Sequence, residues 1–187
     1  MRTLRVFESI SIDGYFADAH GDMSWAHGAA PDPEYGAWVG RNAGSGRALL
    51  LGRATYEMMA AFWPSPMAAE QMPDVARGMN AATKYLVSRS LTPTWSNTIR
   101  LEGDLVDAVR ALKASPGPDL VVLGSGSVVM QLGEAGLVDE YQLVVIPVAL
   151  GGGRTVFSRR QPLELVEQRA FPGGNVVVTY AAAAAQG

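Results

Sequence analysis

The sequence predicts an α/β fold: three layers, α/β/α, around a mixed, mostly parallel sheet of about eight strands with an antiparallel C-terminal edge. Two observations carry this. Short apolar runs end in glycine or serine and pass into helix-suited segments, as at Arg47–Gly52 and Leu120–Leu123. Such alternation of strand and helix builds parallel sheets covered on both faces. The chain then closes in strands with no helix between them, which supplies the antiparallel edge. At 187 residues, 48% hydrophobic and 18% charged, it suits one domain, expected over 1–181 with 182–187 as a frayed tail.

In chain order, Leu4–Ile12 alternates apolar and polar residues with the period of a strand, and Asp13-Gly14 breaks it. Residues 15–33 show no sustained period and read as a long loop. Asp32 and Pro33 suit the N-cap and first position of a helix stopped by Gly44. Arg47–Gly52 is a buried strand and Ala54–Phe62 its helix, stopped by Trp63-Pro-Ser-Pro66. Met67–Ala82 is weakly patterned and reads as a connection with at most a helical turn. Lys84–Val87 and Thr98–Leu101 are short strands. Asp104 caps a helix over Leu105–Ala114, with Leu105, Val109 and Leu112 on one face. Leu120–Leu123 and Ser127–Ala135 form the next strand and helix. Glu140–Leu150 reads as one long strand in which Pro147 argues for an edge position or a bulge. Leu163–Phe171 and Asn175–Ala181, joined by Pro172-Gly-Gly174, read as a hairpin.

Composition narrows the function. A net charge of −3 with no basic run beyond Arg159-Arg160 gives no footprint for nucleic acid or an anionic membrane. Zero cysteines rule out disulfides and thiolate metal sites, and with two histidines a metal enzyme is disfavoured, so no metal is expected. The N-terminus lacks the apolar core of a signal peptide and no run approaches a membrane span, so a cytoplasmic protein is expected.

Three strand ends carry phosphate-suited chemistry. Gly124-Ser-Gly126-Ser127 lies between a strand and a helix, where free amides attract anions. It lacks the third glycine of a dinucleotide fingerprint, having Val129 there, so it is either a phosphate cradle or a packing turn. Arg53 can pair bidentately with a phosphate and Thr55 can offer hydroxyl and amide; equally, they are a solvated turn residue and a helix cap. Ser88-Arg89-Ser90 admits the same two readings. Ligands of parallel-rich sheets bind where such ends converge, and two arginines with several hydroxyls suit a 2′-phosphorylated dinucleotide.

These residues carry a resemblance. Ser9–Ala17 with Asp13-Gly14, Leu50–Glu57 with Gly52-Arg53-Ala-Thr55, Lys84–Arg89, Gly124–Ser127, and Leu137–Glu140 followed by Pro147 and Gly151-Gly-Gly153 occur in the order seen in the dihydrofolate reductase-like superfamily. The chain most resembles its branch that includes the reductase domain of bacterial riboflavin biosynthesis. The resemblance implies an NADPH-dependent reductase of a small, planar heterocyclic or carbonyl substrate. It assigns Gly52, Arg53 and Thr55 to the phosphates, Ser88 and Arg89 to the 2′-phosphate, and Gly124, Ser125, Gly126, Ser127 and Val128 to the pyrophosphate and nicotinamide ribose. Ser9 and Ile10 would contact the nicotinamide, with the loop from Asp13 to Trp25 closing over it.

The sequence departs from the pattern on the substrate side. Dihydrofolate reductases carry an acid near the start of the first helix; here that position aligns with Tyr35, and Glu34 lies one residue before. A one-residue slip turns a helical side chain by about 100°, so Glu34 serves as catalytic acid only in a shifted register. Trp25, Tyr35, Trp38, Phe62 and Trp63 are candidate pocket residues, able to stack on a heterocycle or simply to fill a core. A missing acid would also suit a non-catalytic NADP(H)-binding module or a dimeric scaffold. A homodimer is expected, paired through strand 140–150 and the terminal hairpin.

Overall fold

The computed structural model describes residues 1–27 and 32–183. Its main sheet has eight strands: β1 (Leu4–Ser11), β3 (Ala48–Gly52), β4 (Lys84–Val87), β5 (Thr98–Arg100), β6 (Leu120–Leu123), β7 (Glu140–Ile146), β9 (Leu163–Ala170) and β10 (Val176–Ala182). A separate pair joins β2 (Tyr15–Ala17) to β8 (Arg154–Thr155). The main order is β5-β4-β3-β6-β1-β7-β10-β9. All neighbours from β5 to β7 are parallel, whereas β10 is antiparallel to both β7 and β9.

The helices are α1 (Pro33–Ala43), α2 (Arg53–Phe62), α3 (Pro66–Gln71), α4 (Pro73–Ala81), α5 (Leu105–Ala114) and α6 (Gly126–Glu134), with a 3-10 turn at Ser24–His27. All five residues of β3 are buried, as expected of a strand covered on both faces. Leu50 and Val122 pack with Val109 of α5 and Val129 of α6 on one face. Leu49, Leu51 and Val121 pack with Tyr56 of α2 and Val75 and Met79 of α4 on the other. The three layers follow from this alternation.

Local chemistry explains several boundaries. Asp32 Oδ1 accepts the amides of Glu34 and Tyr35 and starts α1, while its Oδ2 accepts Gly173 N–H at 2.7 Å, fixing the α1 entrance to the β9–β10 turn. Asp104 caps α5 in the same way. Asp13 Oδ2 accepts Gly151 N–H at 2.7 Å, and a Cβ on Gly153 would stand 2.1 Å from Ala17 O. The Asp13-Gly14 and Gly151–Gly153 motifs thus form one corner beside β2 and β8. Asp139 accepts Leu4 N–H and Lys113 Nζ, tying the start of β1 to α5.

Four sequence expectations are corrected. The loop expected over 15–33 contains β2 and the 3-10 turn; its residues 28–31 lie outside the described ones. The connection expected over 67–82 is two helices, each opened by a proline, Pro66 and Pro73; Ser65 Oγ accepts Ala68 N–H at 3.2 Å. Proline at the first helical position begins a helix as readily as it ends the one before. The strand expected to run to Leu150 stops at Ile146, and β7 is interior, between β1 and β10. Pro147 therefore lies past its end, and β7 has no free edge for a second chain. Finally, Ala182 belongs to β10 and not to a tail; residues 184–187 lie outside the described ones.

Candidate active site

Strand register brings the three glycine- and serine-bearing ends to one side of the sheet. β4, β3, β6 and β1 are consecutive neighbours and all parallel, so their carboxyl ends lie together. Gly52 is level with Val87, placing Ser88 and Arg89 one step beyond. Leu123 is level with Phe7, placing Gly124 beside Glu8 and Ser9. Crevices of this kind are the usual ligand sites of α/β sheets.

Ser125 joins two of the turns. Its Oγ accepts Gly52 N–H at 2.9 Å and donates to Thr55 Oγ1 at 2.8 Å. To do this Ser125 adopts the left-handed conformation, φ 64 and ψ 55, uncommon for a residue with a Cβ. Neither α2 nor α6 has a side-chain cap among the described residues, in contrast to α1, α3 and α5. Two helix starts with amides left open thus stand side by side. Val128, on the first turn of α6, is buried. The Cβ direction of Gly126 is filled by Phe16, whose Cζ would lie 2.2 Å from an added methyl, so Gly126 lets the loop after β1 rest on α6.

The two arginines lie outward. Arg53 pairs with Glu57 at 3.3 Å, both half-exposed, a surface contact of at most about 1 kcal/mol that leaves the guanidinium available. Arg89 is exposed, and Ser88 Oγ accepts Leu91 N–H at 3.1 Å.

Beside these turns, a cavity of about 240 Å³ lies between the sheet and α1, α2 and α4. Phe7, Leu49 and Val121 line it from the sheet, Val39 from α1, and Met59 and Trp63 from α2. Glu8, Ser9, Thr55 and Gly124 close its turn end; Arg5 and Arg47 line it toward the starts of β1 and β3.

The expected pocket residues divide. Trp63 lines the cavity, and Phe62 packs edge-on against it at 5.0 Å. Tyr35 and Trp38 stack at 6.0 Å and join Phe7 and Phe171 in an aromatic cluster, with Trp25 packed against the same group. Glu34 is on the surface, its carboxylate 2.6 Å from Arg169, and is not part of the cavity wall. Ile10, on β1, is half-buried and packs against the core.

Glu8 was not anticipated. It is 4% exposed, and its Oε2 has no hydrogen-bond partner among the described residues. Burial raises its pKa from 4.5 to about 8 against the weaker opposing effect of the Ser9 amide. The signal was present in β1: Glu8 occupies the same row as Leu4 and Val6, an inward one.

Comparison with known proteins agrees with this architecture. The family model described as the RibD C-terminal domain matches residues 2–178. The uncharacterized protein YyaP of Bacillus subtilis is 26% identical over 175 residues, covering 92% of this chain and 90% of that protein. A putative riboflavin biosynthesis protein from Shewanella superposes with TM-score 0.71 at 22% identity, covering 98% of this chain and all of that one. A pyrimidine reductase-like protein from Corynebacterium diphtheriae gives 0.67 at 18%, covering 98% and 92%. Dihydrofolate reductase from Enterococcus faecalis, solved with NADP(H), gives 0.64 at 15%, covering 97% of each chain. The fold is shared with these three solved structures, and by the match over nearly its whole length the chain belongs to the RibD C-terminal domain family.

Proposed function

We propose that the protein is an NADPH-dependent reductase that transfers a hydride to a small planar heterocycle or carbonyl compound. The observation that carries this reading is the Ser125 tie, which holds the uncapped starts of α2 and α6 together beside an apolar cavity. Open amides at two helix starts fit a pyrophosphate. Arg53 and Arg89, on neighbouring strand ends, fit the 2′-phosphate side. The cofactor seen in the Enterococcus relative belongs to a protein of the same fold, and the family description points the same way.

When bound, reduced nicotinamide supplies the hydride. The chain's own residues then have separable tasks. Thr55, Ser125 and the amides beside them would hold the phosphates, and Ser9 and Gly124, which line the turn end of the cavity, would receive the nicotinamide. Phe7, Leu49 and Val121 provide a flat apolar floor, and Met59 and Trp63 wall it, which excludes water from the acceptor.

A homodimer is part of the reading. The sheet has two outer strands, β5 and β9. β9 exposes Leu165 and Val166 at 57% and 58%, which supports pairing through that strand in place of the interior β7. Soluble activity in the cytoplasm fits the composition.

The test is oxidation of NADPH followed with dihydrofolate, a pyrimidinedione ribosylamine phosphate, and a panel of quinones and aldehydes. Acceptor-dependent oxidation supports the reductase. Tight NADPH binding without turnover on any acceptor favours the non-catalytic binding module, a reading that the surface pairing of Glu34 with Arg169 would then explain.

A further inference from the structure

Side chains of β1 alternate between the faces of the sheet, so Leu4, Val6 and Glu8 share one row. Leu4 and Val6 are fully buried, and Glu8 follows them inward. β6 stops short of it: the last pair between the two strands is Phe7 with Leu123, after which β6 leaves the sheet through Gly124. Glu8 stands where β1 first loses that neighbour; its row faces α5 and α6, and at this end of the strand it also lines the turn end of the cavity. A methyl on Gly124 would be 3.4 Å from Thr55 Oγ1 and 3.9 Å from Glu8 Oε2. Carboxyl, hydroxyl and glycine turn therefore meet at one point.

Oε1 accepts Ser9 N–H at 3.2 Å, whereas Oε2 is unpartnered among the described residues. An ionised carboxylate left so would be heavily penalised, so the group holds its proton. No cation answers it. Of the arginines lining the cavity, Arg5 is paired with Glu140 at 2.6 Å, and Arg47 lies before β3, toward the opposite end. On α2, Arg53 turns to Glu57 at the surface; β6 and the turn after it bring no charged side chain.

We propose that Glu8 is the proton donor of the reduction, taking on this fold the role for which α1 brings no acid to the cavity. The proposal rests on the reductase reading above. Hydride from the reduced nicotinamide dinucleotide forms a C–H bond at the electrophilic carbon of a C=O or C=N group. The π pair moves to the heteroatom, which takes the proton from Glu8 Oε2. The dinucleotide leaves oxidised, and the Glu8 carboxylate regains a proton from water at the cavity mouth. One hydride and one proton are consumed per turnover. A buried acid that lines the cavity with an unpartnered Oε2 among the described residues is positioned to act as a general acid toward a compound bound there.

Glu8→Gln keeps shape and a hydrogen-bond donor and loses only the transferable proton; Glu8→Asp keeps the proton and withdraws it. Infrared spectroscopy of the full chain at about pH 6, where an ordinary glutamate is ionised, is expected to show a protonated-carboxyl band absent from Glu8→Gln and lost with a midpoint near 8. Absence of that band overturns the proposal. With NADPH and phenanthrenequinone, Glu8→Gln is expected to lose about a hundredfold in kcat with NADPH affinity unchanged, and Glu8→Asp to fall between. Wild-type kcat should decline as pH rises through the midpoint, while the residual rate of Glu8→Gln stays flat. Full kcat in Glu8→Gln overturns the proposal while leaving the reductase reading intact. A wild-type chain that shows the infrared band yet binds no NADPH fails the reductase reading, and the donor role with it.

Discussion

The hydroxyls of Thr55 and Ser125 are hydrogen-bonded at 2.8 Å although seventy residues separate them in sequence. Thr55 is on the first turn of α2, and Ser125 immediately precedes α6. The bond makes one rim of two turns that follow different strands. Removing it should therefore affect phosphate binding and stability together.

Ser125→Ala deletes that bond and leaves Gly52 N–H without its acceptor. The expected cost is about 1–2 kcal/mol in chemical denaturation, with NADPH affinity lowered about tenfold, or about 1.4 kcal/mol. An unchanged affinity would separate the rim from the cofactor.

Gly126→Ala places a methyl 2.2 Å from Phe16 Cζ. Overpacking of this kind costs about 1–3 kcal/mol. Phe16→Leu in the same chain should recover part of that loss, a coupling measurable as a double-mutant cycle. Additive losses would mean that the loop after β1 does not bear on α6.

Arg89→Ala should weaken NADPH more than NADH, by about tenfold in the ratio of affinities, since a charge-assisted contact is worth about 1.5–3 kcal/mol. Equal weakening of both dinucleotides would remove Arg89 from the 2′-phosphate site.

Stability should depend on pH through Glu8. Its folded pKa, about 8, lies above the ordinary 4.5, so between these values the native state binds more protons than the unfolded chain. The contribution of Glu8 is fully present below about pH 4.5 and is lost as pH rises through about 8. Glu8→Gln should flatten that decline by a few kcal/mol, read from denaturation midpoints across the range. Parallel curves for wild type and variant would show that Glu8 is not held protonated.

Light scattering should report twice the 19.8 kDa chain mass. The double variant Leu165→Glu, Val166→Glu should halve it by charging the β9 edge. A wild-type monomer would contradict the pairing.

Much of this architecture was legible in sequence for identifiable reasons. Asp32-Pro33 and Asp104 announce helices because a carboxylate cap and a proline at the first position are nearly free of tertiary context. The buried strands β3 and β6 are apolar throughout, as covered parallel strands must be. α3 and α4 were hidden because Pro66 and Pro73 act as helix starts while Met and Ala blur the apolar face. β2 was hidden because its strand partner among the described residues, β8, lies far along the chain. Glu8 was hidden for a related reason. In Leu4-Arg5-Val6-Phe7-Glu8 each face of β1 carries one charged residue, and only the fold shows that Arg5 is paired with Glu140 while Glu8 is buried with an oxygen left unpartnered among the described residues. The Ser125 tie has no sequence signature, because a serine in the left-handed region is chosen by the two turns it joins.

The central claim is that the joined turns hold NADPH, and fluorescence titration of the wild-type chain with NADPH and NADH tests it most directly. Saturable NADPH binding is expected at about micromolar concentrations, tighter than NADH. No saturation by either dinucleotide up to about a millimolar would contradict it.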